Sequence, residues 1–431
     1  MNLYLFNVNG SAAAFGIGTY INELIYSLKG TSVHIHIVHL QSDHTEFDIS
    51  TTINDHGSLT YKVENWYIPK VYNQNIFDSA DQKVEEYFRN IIYLFRLYIK
   101  DTTNLVFHFN YNLHYALAKG LKEVFDCKTV ATIHLMKWQL LLQGNLSRFH
   151  AIKSKPNNKK STFEQSLSLT DEYEKLLYKE VDRVIVLSQY TKKLLLDECR
   201  IDPDKVCIIP NGLSDIRVSK EMSSQNETDR NTLRRKWGLS ENELLILFVG
   251  RLQAVKGLTY LLQAFRKVLN SIPNCRLMIA GNGDDEMYRK EAKDISAKIS
   301  FTGLLEKKAL YELYQIANIG VMPSFHEQCS YVGIEMMMYG VPLIASTSTG
   351  LREMVADGVT GLHIPVIEYH DKAEINTDLL AEKMVYLLQH PTEAKRLGRN
   401  ARRVYEERYT SDLFRQNMLD FYNSLLEPPN A

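Results

Sequence analysis

The sequence predicts an α/β protein of two doubly wound domains. Three observations carry this. Short apolar runs alternate with segments of helical spacing along the chain. A polar, charged stretch at Ser214–Gly238 breaks the alternation, which then restarts. And 431 residues suffice for two or three domains.

The elements follow in order. "LYLFNV" (Leu3–Val8) reads as a buried strand, followed by a glycine-rich turn and "YINELIYSLKG", a helix stopped at Gly30. "VHIHIVHL" (Val33–Leu40), "NLVFHFN" (Asn104–Asn110), "TVATIH" (Thr129–His134), "VDRVIVLS" (Val181–Ser188) and "KVCIIPNG" (Lys205–Gly212) continue the strand series. Past the polar stretch, "LLILFVG", "CRLMIAGNG", "KISFTG" and "IGVMPS" read as strands, with "GLTYLLQAFRKVL" and "EKKALYELYQIA" as helices. Apolar strands between amphipathic helices imply parallel sheets covered on both faces. The expected domains are 1–212 and 240–405, joined by a hinge. The tail, Thr410–Glu427, has apolar residues at three- and four-residue steps, so it is expected to be one helix packing an apolar face.

Two segments interrupt the first domain. Gln41–Thr103 holds a polar, hairpin-like stretch and a helix rich in Tyr and Phe. Lys137–Lys160 carries Lys137, Arg148, Lys153, Lys155, Lys159 and Lys160 and no acid. It reads as a solvated mobile loop, or as a contact for an anionic lipid or acidic acceptor.

Composition narrows the function classes. Hydrophobic residues make up 45% and charged residues 23%, ordinary for a globular protein. A net charge of −1 gives no global field for nucleic acid or anionic membranes. The opening "MNLYLFNVNG" has neither the basic start nor the apolar length of an export signal, and no apolar run is long enough to span a bilayer. Five scattered cysteines form no C-x-x-C pair, which suits reduced thiols in the cytoplasm.

Candidate site residues cluster after strands. In "GRLQAVKG" (Gly250–Gly257), Arg251 and Lys256 flank a loop at a strand's carboxyl end, where open α/β sheets bind ligands. An Arg fork and a Lys point charge suit phosphate oxygens; the same pair also reads as two solvated cations. "HEQCSYVGIE" places Glu327 on a loop and Glu335 in the first turns of a short helix stopped by Gly340. On one helix the two would stand about 80° apart. On loop and helix they reach different parts of an extended ligand, with the amides of Cys329 to Gly333 able to bind phosphate between them. Alternatively Glu335 only favours the helix start and Glu327 is solvated. "FGIGTY" puts Gly16 and Gly18 after the first strand for close backbone approach, without a full G-x-G-x-x-G. His134 ends an apolar strand and can hydrogen-bond a substrate or satisfy its own loop. His34, His36 and His39 read as one sheet face without a metal-ligating partner.

Taken together, "GRLQAVKG", "AGNGDD", "FTGLLEKKALYELYQIANIGVMPS" and the E-x7-E segment, with "VIVLSQYTKKLL" and "IIPNG" before them, resemble a family in both order and gaps. It is that of the family 4 retaining glycosyltransferases of the GT-B fold. The resemblance implies two facing Rossmann-like domains with the active site in their cleft. Domain 1–212 would take the acceptor, domain 240–405 the nucleotide sugar, and helix 410–427 would cross back onto the first domain. It implies that Arg251 and Lys256 hold the donor diphosphate, Glu327 faces the transferred sugar and Glu335 binds ribose. Gly303, Leu304, Cys329, Ser330, Tyr331 and Val332 complete the donor set. Gly16 and Gly18 match the loop near the diphosphate, His134 the histidine near the sugar, and Asn211 and Gly212 the hinge.

No metal or cofactor is implied, because fixed cations take the metal's electrostatic role. The implied partners are a nucleotide-sugar donor and a glycan, lipid-linked or peptide acceptor, with no nucleic acid. The implied place is the cytoplasm, with peripheral contact at the inner membrane face. Gln328, Cys329 and Ser330 stand where family members often have Gly-Phe-Gly, and Ser214 where an Asp often follows the hinge. The first three are therefore expected to shape which sugar is accepted. A sugar-nucleotide epimerase and a non-catalytic nucleotide-binding subunit are the alternative functions.

Overall fold

The computed structural model describes residues 1–8, 16–56, 59–71, 82–215 and 227–427. Residues 9–15 of the expected glycine-rich turn and the polar residues 216–226 lie outside them. The chain forms two compact units. One comprises 1–138, 150–211 and 411–431; the other comprises 139–149 and 212–410.

The first unit is built on an eight-stranded sheet, β1 (Asn2–Val8), β2 (His34–Ser42), β3 (Asp48–His56), β4 (Leu59–Pro69), β5 (Leu105–Phe109), β6 (Lys128–Ile133), β7 (Arg183–Val186) and β8 (Val206–Ile208). The spatial order is β3-β4-β2-β1-β5-β6-β7-β8. All pairs are parallel except β3–β4, the hairpin of the polar insertion, which extends one edge. Strand β1 is almost wholly buried, because helices cover both faces of a parallel sheet. Helix Ser411–Leu426 turns Phe414, Met418, Phe421, Tyr422 and Leu425 inward, a single face at helical spacing. The Tyr422 hydroxyl lies 2.6 Å from His108 Nδ1 on β5.

The second unit contains a six-stranded parallel sheet, β9 (Leu244–Val249), β10 (Cys275–Ala280), β11 (Ile299–Gly303), β12 (Ile319–Met322), β13 (Leu343–Ser346) and β14 (Gly361–Ile364). A small antiparallel hairpin follows, β15 (Val366–Glu368) and β16 (Ala373–Ile375). The spatial order β11-β10-β9-β12-β13-β14 reverses direction between β9 and β12. That reversal opens a crevice at the strands' carboxyl ends, the usual ligand position of open α/β sheets.

Three expectations change. The polar stretch is not all linker: Glu227–Lys236 is a helix of the second unit. Polar contacts hold it, with Lys236 Nζ 2.7 Å from Glu312 and Trp237 Nε1 donating to Glu312 Oε2 at 3.1 Å. Its lack of an apolar face hid it. The basic segment is not a loose loop, for it forms helices Lys137–Leu141 and Leu146–Ser154. Lys153 pairs with Asp171 at 2.8 Å and Lys155 with Glu164 at 2.5 Å. The neutralising acids come from the next helix, Thr162–Glu180. Last, His34 and His36 share a face that strand alternation denies to His39. His36 Nδ1 meets Glu64 Oε2 of β4 at 2.8 Å, an acid remote in sequence. No helix among the described residues is long and apolar enough to cross a membrane.

Candidate active site

In the second unit, the chain leaving β9 turns through Gly250, Arg251 and a short 3-10 turn, Ala254–Lys256, into helix Leu258–Ser271. Gly257 makes this turn possible. Its φ is +69°, and a Cβ there would stand 2.0 Å from the Pro323 carbonyl oxygen. Phe325 N–H donates to Val255 O at 2.7 Å. The loops after β9 and β12 are therefore locked together at the point where the sheet reverses.

That lock brings Lys256 onto Glu327. Lys256 Nζ lies 2.5 Å from Glu327 Oε1, and both side chains are mostly buried. Ser324 Oγ donates to the same carboxylate oxygen at 3.2 Å. The Glu327 backbone is clamped as well. Its N–H donates to Thr349 Oγ1 at 3.0 Å, and its carbonyl accepts from Thr349 Oγ1 and from Gly350 N–H, the latter at 2.7 Å. Arg251 is half-buried beside this pair in sequence, on the same loop as Lys256.

Helix Tyr331–Tyr339 follows directly. Ser330 caps it, its hydroxyl accepting from Gly333 N–H at 3.3 Å, and Gly340 ends it with φ +64°. The helix dipole gives this N-terminus partial positive charge, and the Ser330 cap satisfies one of its free N–H groups. Cys329 and Ser330 are buried at its foot; Tyr331 and Val332 are half-buried on its first turn. Glu335 is buried one turn on, its Oε2 accepting from the Tyr314 hydroxyl at 2.8 Å. Burial pushes the Tyr314 phenol well above its ordinary pKa, with Glu335 adding to the rise. Gly303 ends β11 with φ +71°, and its carbonyl accepts from Gly281 N–H at 2.9 Å. Leu304 beside it is 65% exposed, an apolar surface at the rim of the same sheet end.

The first unit carries the remaining candidates. Helix Gly16–Leu28 starts at Gly16, four residues ahead of the expected Tyr20, so both glycines lie in its first turn rather than in a loop. Gly16 is exposed, with open space where a Cβ would stand, and Gly18 is buried. His134 follows β6, its Nε2 3.2 Å from Asn110 Oδ1 at the end of β5. The Tyr20 ring meets the imidazole edge-on, centroids 4.6 Å apart. Burial pushes the His134 pKa down to about 3, so the ring is neutral at pH 7. Asn110, Tyr20, Thr349 and Tyr314 escaped the sequence reading because no spacing links them to the residues they hold. Among the described residues, no group of three or more His, Cys, Asp or Glu is placed to hold a metal ion.

The chain matches two family models, one in each half. The model for Glycosyltransferase Family 4 matches residues 16–215, and that for Glycosyl transferases group 1 matches 229–404. An uncharacterised glycosyltransferase of Methanocaldococcus jannaschii is 30% identical over 248 residues, 57% of this chain and 60% of that protein. The chain spans about half the length of the curated relatives it matches. Among solved structures, sucrose-phosphate synthase from Thermosynechococcus elongatus superposes with a TM-score of 0.74 at 21% identity, covering 98% of both chains. HepE of Anabaena, solved in complex with UDP-glucose, gives a TM-score of 0.68 at 14% identity, covering 98% of this chain and 100% of that one. These likenesses show the GT-B fold. With one model falling on each half in the expected order, the chain belongs to glycosyltransferase family 4, the group 1 glycosyl transferases.

Proposed function

We propose that this protein transfers a sugar from a nucleoside diphosphate donor to an acceptor hydroxyl, with retention at the anomeric carbon. The observation that carries the reading is the Lys256–Glu327 pair, set at the sheet reversal beside the N-terminus of helix Tyr331–Tyr339. A cation, a helix N-terminus and an adjacent Arg converge on one sheet end, an arrangement suited to a diphosphate. HepE, which shares the fold, was solved with UDP-glucose bound.

In this reading Arg251 and Lys256 bind the diphosphate. They stabilise the charge that grows as the bond from anomeric carbon to phosphate oxygen breaks. The bond from that carbon to the acceptor oxygen forms on the same face, and the acceptor proton passes to the departing phosphate oxygen. Glu327 orients the transferred sugar while holding Lys256 in place. Glu335, anchored by Tyr314, receives ribose hydroxyls. Leu304 and Gly303 border the base; Cys329, Tyr331 and Val332 offer backbone N–H groups to the phosphates, whereas that of Ser330 donates to Met354 Sδ at 3.3 Å. Gly16, Gly18 and neutral His134 are the residues assigned to substrate on the first unit. The reading calls for no metal, since fixed cations balance the leaving group. The acceptor is a glycan, a lipid-linked glycan or a peptide.

The test incubates the purified protein with nucleotide sugars and acceptors and follows the product by NMR. The expected product keeps the donor's anomeric configuration. An inverted product would contradict the assignment, as would isomerised donor formed without acceptor.

A further inference from the structure

Two buried polar side chains flank Glu327, and neither is satisfied. Gln328 is 4% exposed, and both Oε1 and Nε2 lack a hydrogen-bond partner among the described residues. His326 is 6% exposed, and its Nδ1 is likewise unpartnered among them. A buried polar atom left unpaired carries its full desolvation penalty, so native cores rarely keep three together.

The backbone around them offers no slack. Thr349 and Gly350 hold both backbone groups of Glu327. A Cβ on Gly350 would stand 1.7 Å from the Gln328 carbonyl oxygen, so these strands of chain are in closest contact. On the other side Gly144 (φ +70°) presses on Phe325, where a Cβ would stand 2.6 Å from its carbonyl oxygen. The orphaned groups are thus fixed at the carboxyl end of β12, next to the Lys256–Glu327 pair.

We propose that the Gln328 carboxamide, with the His326 imidazole beside it, recognises the transferred sugar and selects an uncharged hexose or N-acetylhexosamine. This deepens the nucleotide-sugar reading above and rests on it. A carboxamide presents one acceptor and two donors side by side. That pattern matches a vicinal diol, or the N–H and C=O of an acetamido group. A sugar carboxylate is disfavoured. Lys256 is already matched by Glu327, and a second carboxylate would lie against the first. Burial pushes the His326 pKa down to about 3, so it adds hydrogen bonding without charge.

The test is calorimetric titration of the full chain with UDP, GDP, UDP-glucose, UDP-N-acetylglucosamine, GDP-mannose and UDP-glucuronate, for wild type and Gln328→Met. Wild type is expected to bind one uncharged nucleotide sugar more tightly than its bare nucleotide. Gln328→Met should weaken that sugar conjugate about tenfold and leave the bare nucleotide unchanged. Because Met replaces an unsatisfied amide with an apolar chain of similar size, the ligand-free thermal midpoint should hold or rise. An unchanged preference for the sugar conjugate in Gln328→Met overturns the proposal alone. So does a fall in the ligand-free midpoint with equal loss of both ligands, which marks a structural role, and so does tightest binding of UDP-glucuronate. If wild type binds none of the nucleotides, the donor reading falls and this proposal with it.

Discussion

Lys256 Nζ meets Glu327 Oε1 at 2.5 Å across 71 positions of sequence. The pair sits where β9 and β12 diverge, so the cation proposed for the diphosphate is already shared with a carboxylate. Removing that carboxylate frees the cation and removes a negative charge near an incoming anion. Glu327→Gln is therefore expected to bind a bare nucleoside diphosphate severalfold more tightly while losing transfer. Calorimetry and a transfer assay on the same preparation check this; weaker diphosphate binding in Glu327→Gln would contradict it.

Tyr314 anchors Glu335 through a buried hydrogen bond of 2.8 Å. Tyr314→Phe deprives a buried carboxylate of a donor, at a cost of about 1.5–3 kcal/mol. Chemical denaturation should register the loss, and nucleotide binding should weaken with it. Full stability in Tyr314→Phe would mean that the hydroxyl does not hold Glu335.

Gly257 and Gly238 both have φ +69°, yet only Gly257 presses against other backbone, Pro323 O. Gly238→Ala should cost only the left-handed backbone penalty, about 1 kcal/mol. Gly257→Ala should cost several times more and abolish nucleotide binding, since the β9 and β12 loops must separate. Equal denaturation midpoints for the two variants would refute the lock.

Burial depresses His108 and His114 in the first unit to pKa values of about 3. A His with depressed folded pKa favours folding above its unfolded pKa near 6.5, and that stability is lost as pH falls toward the folded pKa. Between pH 7 and pH 5.5 each should cost about 1 kcal/mol. His108 is held by Tyr422 and, at 2.7 Å, by Thr132 Oγ1. Denaturation curves at the two pH values check this; identical stability would mean that these imidazoles protonate in place.

Much of the fold was legible because parallel strands buried on both faces read as apolar runs such as Leu244–Val249. The candidate site was legible where chemistry follows such a run, as with Arg251, Lys256 and Glu327. What stayed hidden depends on chain segments meeting in space. Tyr314 lies in an unremarkable helix until it reaches Glu335. Thr349 and Gly350 gain meaning only against Glu327. Helix Glu227–Lys236 has too few apolar residues to announce itself, because Glu312 holds it. Residues 139–149 read as part of the first domain, yet Asn145 Nδ2 donates to Tyr369 O and Lys372 O, at 2.7 and 2.8 Å, within the second unit.

The central claim is that Arg251 and Lys256 hold a donor diphosphate. Calorimetric titration of Arg251→Ala and Lys256→Ala with the nucleoside diphosphate that wild type binds tests it most directly. The expected result is at least about a tenfold loss of affinity in each variant, matching the loss of a charge-assisted hydrogen bond, with folding retained by circular dichroism. Wild-type affinity in both variants would contradict the account.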